Sequence, residues 1–104
     1  MELINKNNFE EKVGSGVTLV DFFGETCEPC KALMPHVEKL EATYGESLPF
    51  YKLDTGGARR LAIKLRVMGL PTVAIFKDGE KVEELSGAEA CTPEAIEEMV
   101  KKYI

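Results

Sequence analysis

Cys27 and Cys30 are the residues of this chain best placed to do chemistry. They lie three apart in the segment ETCEPCK, with Glu28 and Pro29 between them. A helical pattern starts at their position, so Cys27 falls at a helix amino terminus and Cys30 in its first turn. Unpaired backbone N–H groups and the positive end of the helix dipole stabilise an anion there, which lowers a thiol pKa and makes Cys27 a ready nucleophile near neutral pH. In the reaction this permits, Cys27 opens a substrate disulfide through a mixed disulfide and Cys30 resolves it, leaving a Cys27–Cys30 disulfide. Two other uses of the pair exist. With His36 and Cys91 it would complete a Cys3His zinc set, although zinc sites usually show a second close ligand pair and this sequence has none. A buried, inert pair is disfavoured by the turn-forming and charged neighbours Gly24, Glu25, Glu28 and Pro29.

The elements that must position the pair are legible in the pattern. Val17 to Phe23 (VTLVDFF) is almost continuously apolar, as expected of a central strand covered on both faces. The helix that follows carries Leu33, Val37, Leu40 and Tyr44 at spacings of three and four and ends at Gly45. Ahead of the strand, Asn8 and Glu11 have the form of a capping box for a short helix with Phe9 and Val13 on one face, broken by Gly14, Ser15 and Gly16. Leu48 to Leu53 is a second strand and Ala58 to Leu65 a short helix with Leu61, Ala62 and Leu65 inward, which suggests a βαβ unit. Thr72 to Phe76 and Lys81 to Leu85 flank Lys77-Asp78-Gly79-Glu80, whose Asp-Gly is a strong hairpin signal. Thr92 as cap and Pro93 at the first helical position open a last helix with Ile96, Met99, Val100 and Tyr103 inward. The expected fold class is α/β, a central mixed β-sheet flanked by helices on both faces, with the site at the carboxyl edge of strand 17–23.

Composition bounds the function. A chain of 104 residues fits one domain, 1–104. The net charge of -5, with 13 basic residues scattered among 18 acidic ones, excludes a nucleic-acid surface. No apolar run is long enough to span a bilayer, and MELINKNNFEEK lacks the pattern of a secretory signal, so a cytoplasmic, reducing compartment is expected. Three cysteines in such a compartment point to catalysis, metal binding or burial rather than to a disulfide framework.

At this point VDFFGETCEPCKALMP resembles the active-site region of thioredoxins, and the likeness covers essentially the whole chain. Asp21 lies six residues before Cys27 and Pro35 five after Cys30. Gly69-Leu70-Pro71-Thr72 falls at the spacing of the family's cis-proline loop, Phe76-Lys77-Asp78-Gly79 matches its hairpin, and Gly87-Ala88 also falls in place. A CxxC combined with these distant matches is a strong signal. The resemblance implies a thioredoxin fold and a protein-disulfide reductase, an electron carrier whose redox group is the Cys27–Cys30 disulfide, with no metal and no bound cofactor. It implies that Asp21 and Lys52 form a buried pair behind the cysteines, Asp21 exchanging the proton of Cys30 and Lys52 modulating it. Pro71 is expected cis, facing Cys27. Gly69, Leu70, Gly87 and Ala88 would bind substrate, with Met68 adding to an apolar rim. Pro35 would kink its helix, His36 would be a surface residue, and Cys91 a small apolar one.

Partners implied in the same way are a thioredoxin-reductase-type flavoprotein and disulfide-containing target proteins, met by a monomer. Pro29 is typical of thioredoxins, whereas oxidases and isomerases favour His at that position. A glutaredoxin-like enzyme, which would show CPYC or CPFC, and a redox-silent binding or assembly module on the same fold are the alternatives. Thr26 and Phe23 stand where the family usually carries Trp, and this chain has no Trp at all. Glu28 replaces the more usual glycine, setting a carboxylate ~7 Å from the nucleophile, where repulsion costs on the order of 0.6 to 1.2 kcal/mol and opposes the helix dipole. Thr26, Glu28 and Pro29 are expected to tune the pair, and the missing Trp together with the acidic Glu28 points to a dedicated reductase.

Overall fold

The apolar strand β2 (Val17–Phe23) is the middle of a five-stranded sheet in the computed structural model, which describes residues 1–104. Spatial order is β1 (Glu2–Ile4), β3 (Phe50–Asp54), β2, β4 (Thr72–Lys77) and β5 (Glu80–Ser86). The pairs β1/β3 and β2/β3 are parallel, whereas β2/β4 and β4/β5 are antiparallel, so the sheet is mixed.

Side chains alternate across a strand, and β2 uses both faces. Leu19 joins a core built with Leu33 and Val37 of α2 (Glu28–Tyr44) and Ile96, Met99 and Val100 of α4 (Pro93–Lys101). Val20 and Phe22 point the other way, into a core with Phe9 and Val13 of α1 (Phe9–Val13), Ala58 just ahead of α3 (Arg59–Lys64) and Leu61 on that helix. There Phe9, Phe22 and Phe76 pack together, Phe9 meeting Phe76 edge-on at 5.3 Å between centroids. Such pairs add to the ~2 to 3 kcal/mol that burying each ring supplies. Helices thus cover both faces of the mixed sheet, the expected α/β architecture.

Local signals fix the connections. β4 and β5 meet at the two-residue loop Asp78-Gly79, both at positive φ, +49° and +88°, the geometry whose twist matches that of the strands it joins. Asp78 Oδ1 also accepts from Gly16 N at 2.8 Å and so pins the start of β2. Thr92 Oγ1 accepts from Ala95 N at 3.1 Å and Pro93 occupies the first turn, opening α4 as the sequence implies. Tyr44 donates to Glu97 Oε2 at 2.6 Å, tying α2 to α4.

Four details differ from the sequence expectation. Residues 2–4 form β1, a strand held by parallel pairing to residues distant in sequence rather than by its own pattern. Asn8 occupies the cap of α1, but its Oδ1 accepts from Asn5 N at 2.8 Å, so no capping box forms. β3 starts at Phe50 because Pro49 interposes, while Leu48 is buried ahead of it. Finally, Asp54 Oδ1 accepts from Gly56 N at 2.8 Å, shaping a 3₁₀ turn (Thr55–Gly57) before α3 begins at Arg59.

Candidate active site

Cys27 is the N-cap of α2: its φ and ψ are extended and its Sγ accepts from Cys30 N at 3.3 Å. Pro29 follows in the first turn, where its missing N–H costs nothing. The two cysteines form a disulfide, with Cα atoms 5.3 Å apart. Their environments differ. Cys27 is half-buried at the surface, whereas Cys30 is 2% exposed and faces inward. One sulfur is therefore reachable by a macromolecule and the other is reachable only from within.

Asp21 lies on β2 on the same sheet face as Leu19, the face that α2 covers. It is 1% exposed, and neither carboxylate oxygen has a hydrogen-bond partner. Burial pushes its carboxyl up to about 7, and the nearby Lys52 ammonium pulls in the opposite direction. Lys52 is the register partner of Asp21 on β3. It is only half-buried and makes no ion pair with Asp21, so the implied buried pair is a buried acid beside a partly solvated base.

The Leu70–Pro71 peptide is cis. Three contacts brace that loop from the end of β5 and the segment that follows it. Gly87, at φ +92° where only glycine sits without strain, donates its N–H to Pro71 O at 2.8 Å. Thr72 Oγ1 donates to Gly69 O at 2.6 Å and lies 3.2 Å from Ser86 Oγ. Cys91 Sγ lies 3.2 Å from Leu85 O and 3.5 Å from Pro71 O. Cys91 is thus buried as expected but also acts as a polar brace, a use that follows from tertiary contacts its sequence neighbours do not signal. Gly24 separates loop from cysteine: a Cβ there would meet Leu70 Cδ1 at 3.2 Å and Cys27 Cβ at 3.8 Å. Ala88 and Met68 are exposed, Met68 at 87%.

Glu28 is not the isolated charge the sequence reading made it. Its carboxylate pairs with Lys31 at 3.5 Å, one turn along the exposed face of α2, so a charge of opposite sign accompanies it. The zinc arrangement fails on geometry, because His36 is exposed on α2 while Cys91 is buried behind the loop. No group of three or more His, Cys, Asp or Glu side chains converges anywhere.

A family sequence profile described as Thioredoxin matches residues 1–102. This chain belongs to the thioredoxin family. It is 57% identical over 103 residues to the thioredoxin of Acetoanaerobium sticklandii, covering 97% of each chain. With the thioredoxin of Peptoclostridium acidaminophilum it shares 46% over 103 residues, covering 97% of this chain and 93% of the other. Among solved structures, Plasmodium falciparum thioredoxin superposes with a TM-score of 0.90 at 27% identity over the full length of both chains. The oxidised mitochondrial thioredoxin 3 of Saccharomyces cerevisiae gives 0.86 at 28%, covering 98% and 94%. The family and the Cys27–Cys30 disulfide together make the chain a thiol/disulfide oxidoreductase that works by thioredoxin-type dithiol/disulfide exchange. No helix is long and apolar enough to cross a membrane.

Proposed function

We propose that this thioredoxin-family chain reduces protein disulfides by a division of labour in which Cys27 attacks, Cys30 resolves and Asp21 moves the proton. The contrast in exposure between the two sulfurs is the observation that supports these roles. The Cys27 thiolate attacks one sulfur of a target disulfide, forming a mixed disulfide and expelling the other sulfur as a thiolate that takes up a proton from solvent. Asp21, held near neutrality by burial, accepts the proton of the Cys30 thiol, as a base poised near the working pH should. Cys30 then attacks Cys27 Sγ, breaking the mixed disulfide, releasing the second target thiol and closing the Cys27–Cys30 disulfide. Two electrons pass to the target. Lys52 favours the ionised form of Asp21 and so modulates the transfer.

Gly69, Leu70 and the cis Pro71, with Gly87 and Ala88 beside them, present backbone to the incoming target chain, while Thr26, Glu28 and Pro29 tune the pair. The pair is itself the redox group, so the cycle needs no bound cofactor or metal. It closes when a thioredoxin-reductase-type flavoprotein returns two electrons to the disulfide. We place the chain in the cytoplasm as a single-domain monomer. Insulin reduction tests the proposal: precipitation of insulin chains should be strongly accelerated by the wild-type protein with dithiothreitol and lost in Cys27→Ser. No acceleration by the wild type would refute it. Glutathione with glutathione reductase should not replace the flavoprotein.

A further inference from the structure

The charge of this chain is sharply segregated. All three arginines, Arg59, Arg60 and Arg66, lie on or next to α3, and Lys64 joins them. Residues 55–76 hold four bases and no acid, so in a chain of net charge -5 that stretch carries +4 and the remainder -9. None of the three arginines has a carboxylate within ion-pair distance, and Lys64 reaches Glu10 only at 4.0 Å. All four are exposed.

This basic segment borders the reactive disulfide. A groove of about 780 Å³ runs from Gly24 and Thr26, immediately before Cys27, to Arg59 and Ile63 of α3, with Met68 and Leu70 on its wall. Ile63 is 75% exposed and Met68 87%, unusual for side chains that gain by leaving water. The carboxylates lining the groove are Glu25, beside Thr26, and Asp54, whose Oδ1 is engaged by Gly56 N. The groove therefore has Glu25 at the sulfur end, an apolar wall, and Arg59 at its α3 end, with Arg60, Lys64 and Arg66 exposed on and beside that helix.

We propose that this groove is a docking surface for one kind of target segment: neutral beside its reactive cysteine, apolar over Ile63 and Met68, and acidic several residues farther on, where it meets Arg59 and leaves the groove toward the exposed Arg60 and Arg66. The proposal rests on the disulfide-reductase reading and names the substrate class of the same site. Its sign is opposite to what the whole molecule dictates, because a chain of net charge -5 attracts basic partners at long range.

The test uses two peptides identical through Cys-Gly-Leu-Gly-Leu, one ending in four glutamates and one in four lysines, each activated as a 2-pyridyl disulfide. Attack by reduced Cys27 and resolution by Cys30 release one peptide thiol and one 2-thiopyridone per protein disulfide formed, read at the thiopyridone band. At low ionic strength the glutamate peptide should react about tenfold faster than the lysine peptide. Salt at about 0.5 M should close the gap. The triple substitution Arg59→Glu, Arg60→Glu, Arg66→Glu should reverse the order while leaving the rate with uncharged 2,2′-dithiodipyridine unchanged. Equal rates, a lysine preference in the wild type, or a glutamate preference that survives the triple substitution would each overturn the docking surface with the reductase reading intact. No reaction of the wild type with dithiodipyridine would instead remove that reading, and this surface with it.

Discussion

Replacing Asp21 with Asn isolates the energetic cost that the site imposes on the fold. Both oxygens of Asp21 are buried without a partner, and burial raises the carboxyl from its ordinary 3.8 to about 7. A carboxyl whose folded pKa exceeds its unfolded pKa stays protonated in the folded state while the unfolded chain ionises. Stability therefore falls as pH rises between those two values and remains reduced above the higher one. The shift from 3.8 to about 7 corresponds to ~4 kcal/mol at 1.36 kcal/mol per pK unit. Asn keeps the shape and cannot ionise, and an unpartnered amide costs about as much as an unpartnered protonated acid. Asp21→Asn should thus match the wild type near pH 4 and exceed it by ~3 to 4 kcal/mol at pH 8. Urea unfolding of the two oxidised proteins across this range, followed by far-UV circular dichroism because the chain has no Trp, measures the difference. An offset that stays constant from pH 4 to pH 8, or that shrinks as pH rises, would refute the reasoning.

Glu28→Gly should lower the apparent pKa of reduced Cys27 by a few tenths of a unit and Lys31→Ala should raise it by a similar amount, as expected of exposed charges that oppose each other. Iodoacetamide alkylation rates against pH read both, and identical profiles would show that neither charge reaches the sulfur. Cys91 is 4% exposed and burial pushes its thiol up to about 11. The folded oxidised protein should accordingly give no thiol with Ellman's reagent at pH 8 within minutes and one thiol in urea; prompt labelling without denaturant would contradict its buried placement. Gly24→Ala puts a methyl group 3.2 Å from Leu70 Cδ1 and should lower kcat/KM toward insulin about fivefold, an overpacking cost of ~1 kcal/mol. An unchanged kcat/KM would mean that the Leu70 loop yields freely.

What could be read from the sequence was what local chemistry decides. The VTLVDFF run, the Asp78-Gly79 turn and the Thr92-Pro93 start are each specified by residues adjacent in the chain, and each forms where expected. The same holds for Cys27 at the cap of α2. β1 was not legible, because three residues gain their strand conformation only by pairing with β3, some fifty positions away. At Asn8, two acceptable hydrogen-bond donors compete for one oxygen, and the nearby Asn5 N–H wins. Lys31 as partner of Glu28 was available from the i,i+3 spacing alone. The brace from Cys91 to Pro71 and the groove joining Thr26 to α3 required tertiary placement, although the run of bases at 59–66 stood in the sequence throughout.

The central claim is that Cys27, and not Cys30, makes the covalent bond to the target. Incubating the reduced Cys30→Ser variant with a disulfide-containing protein tests it directly, since the resolving step is removed and the mixed disulfide must accumulate. Peptide mapping of the trapped complex should place the target on Cys27 in a one-to-one adduct, with no adduct formed by Cys27→Ser under the same conditions. An adduct formed through Cys30 in Cys27→Ser, or none in Cys30→Ser, would contradict the account.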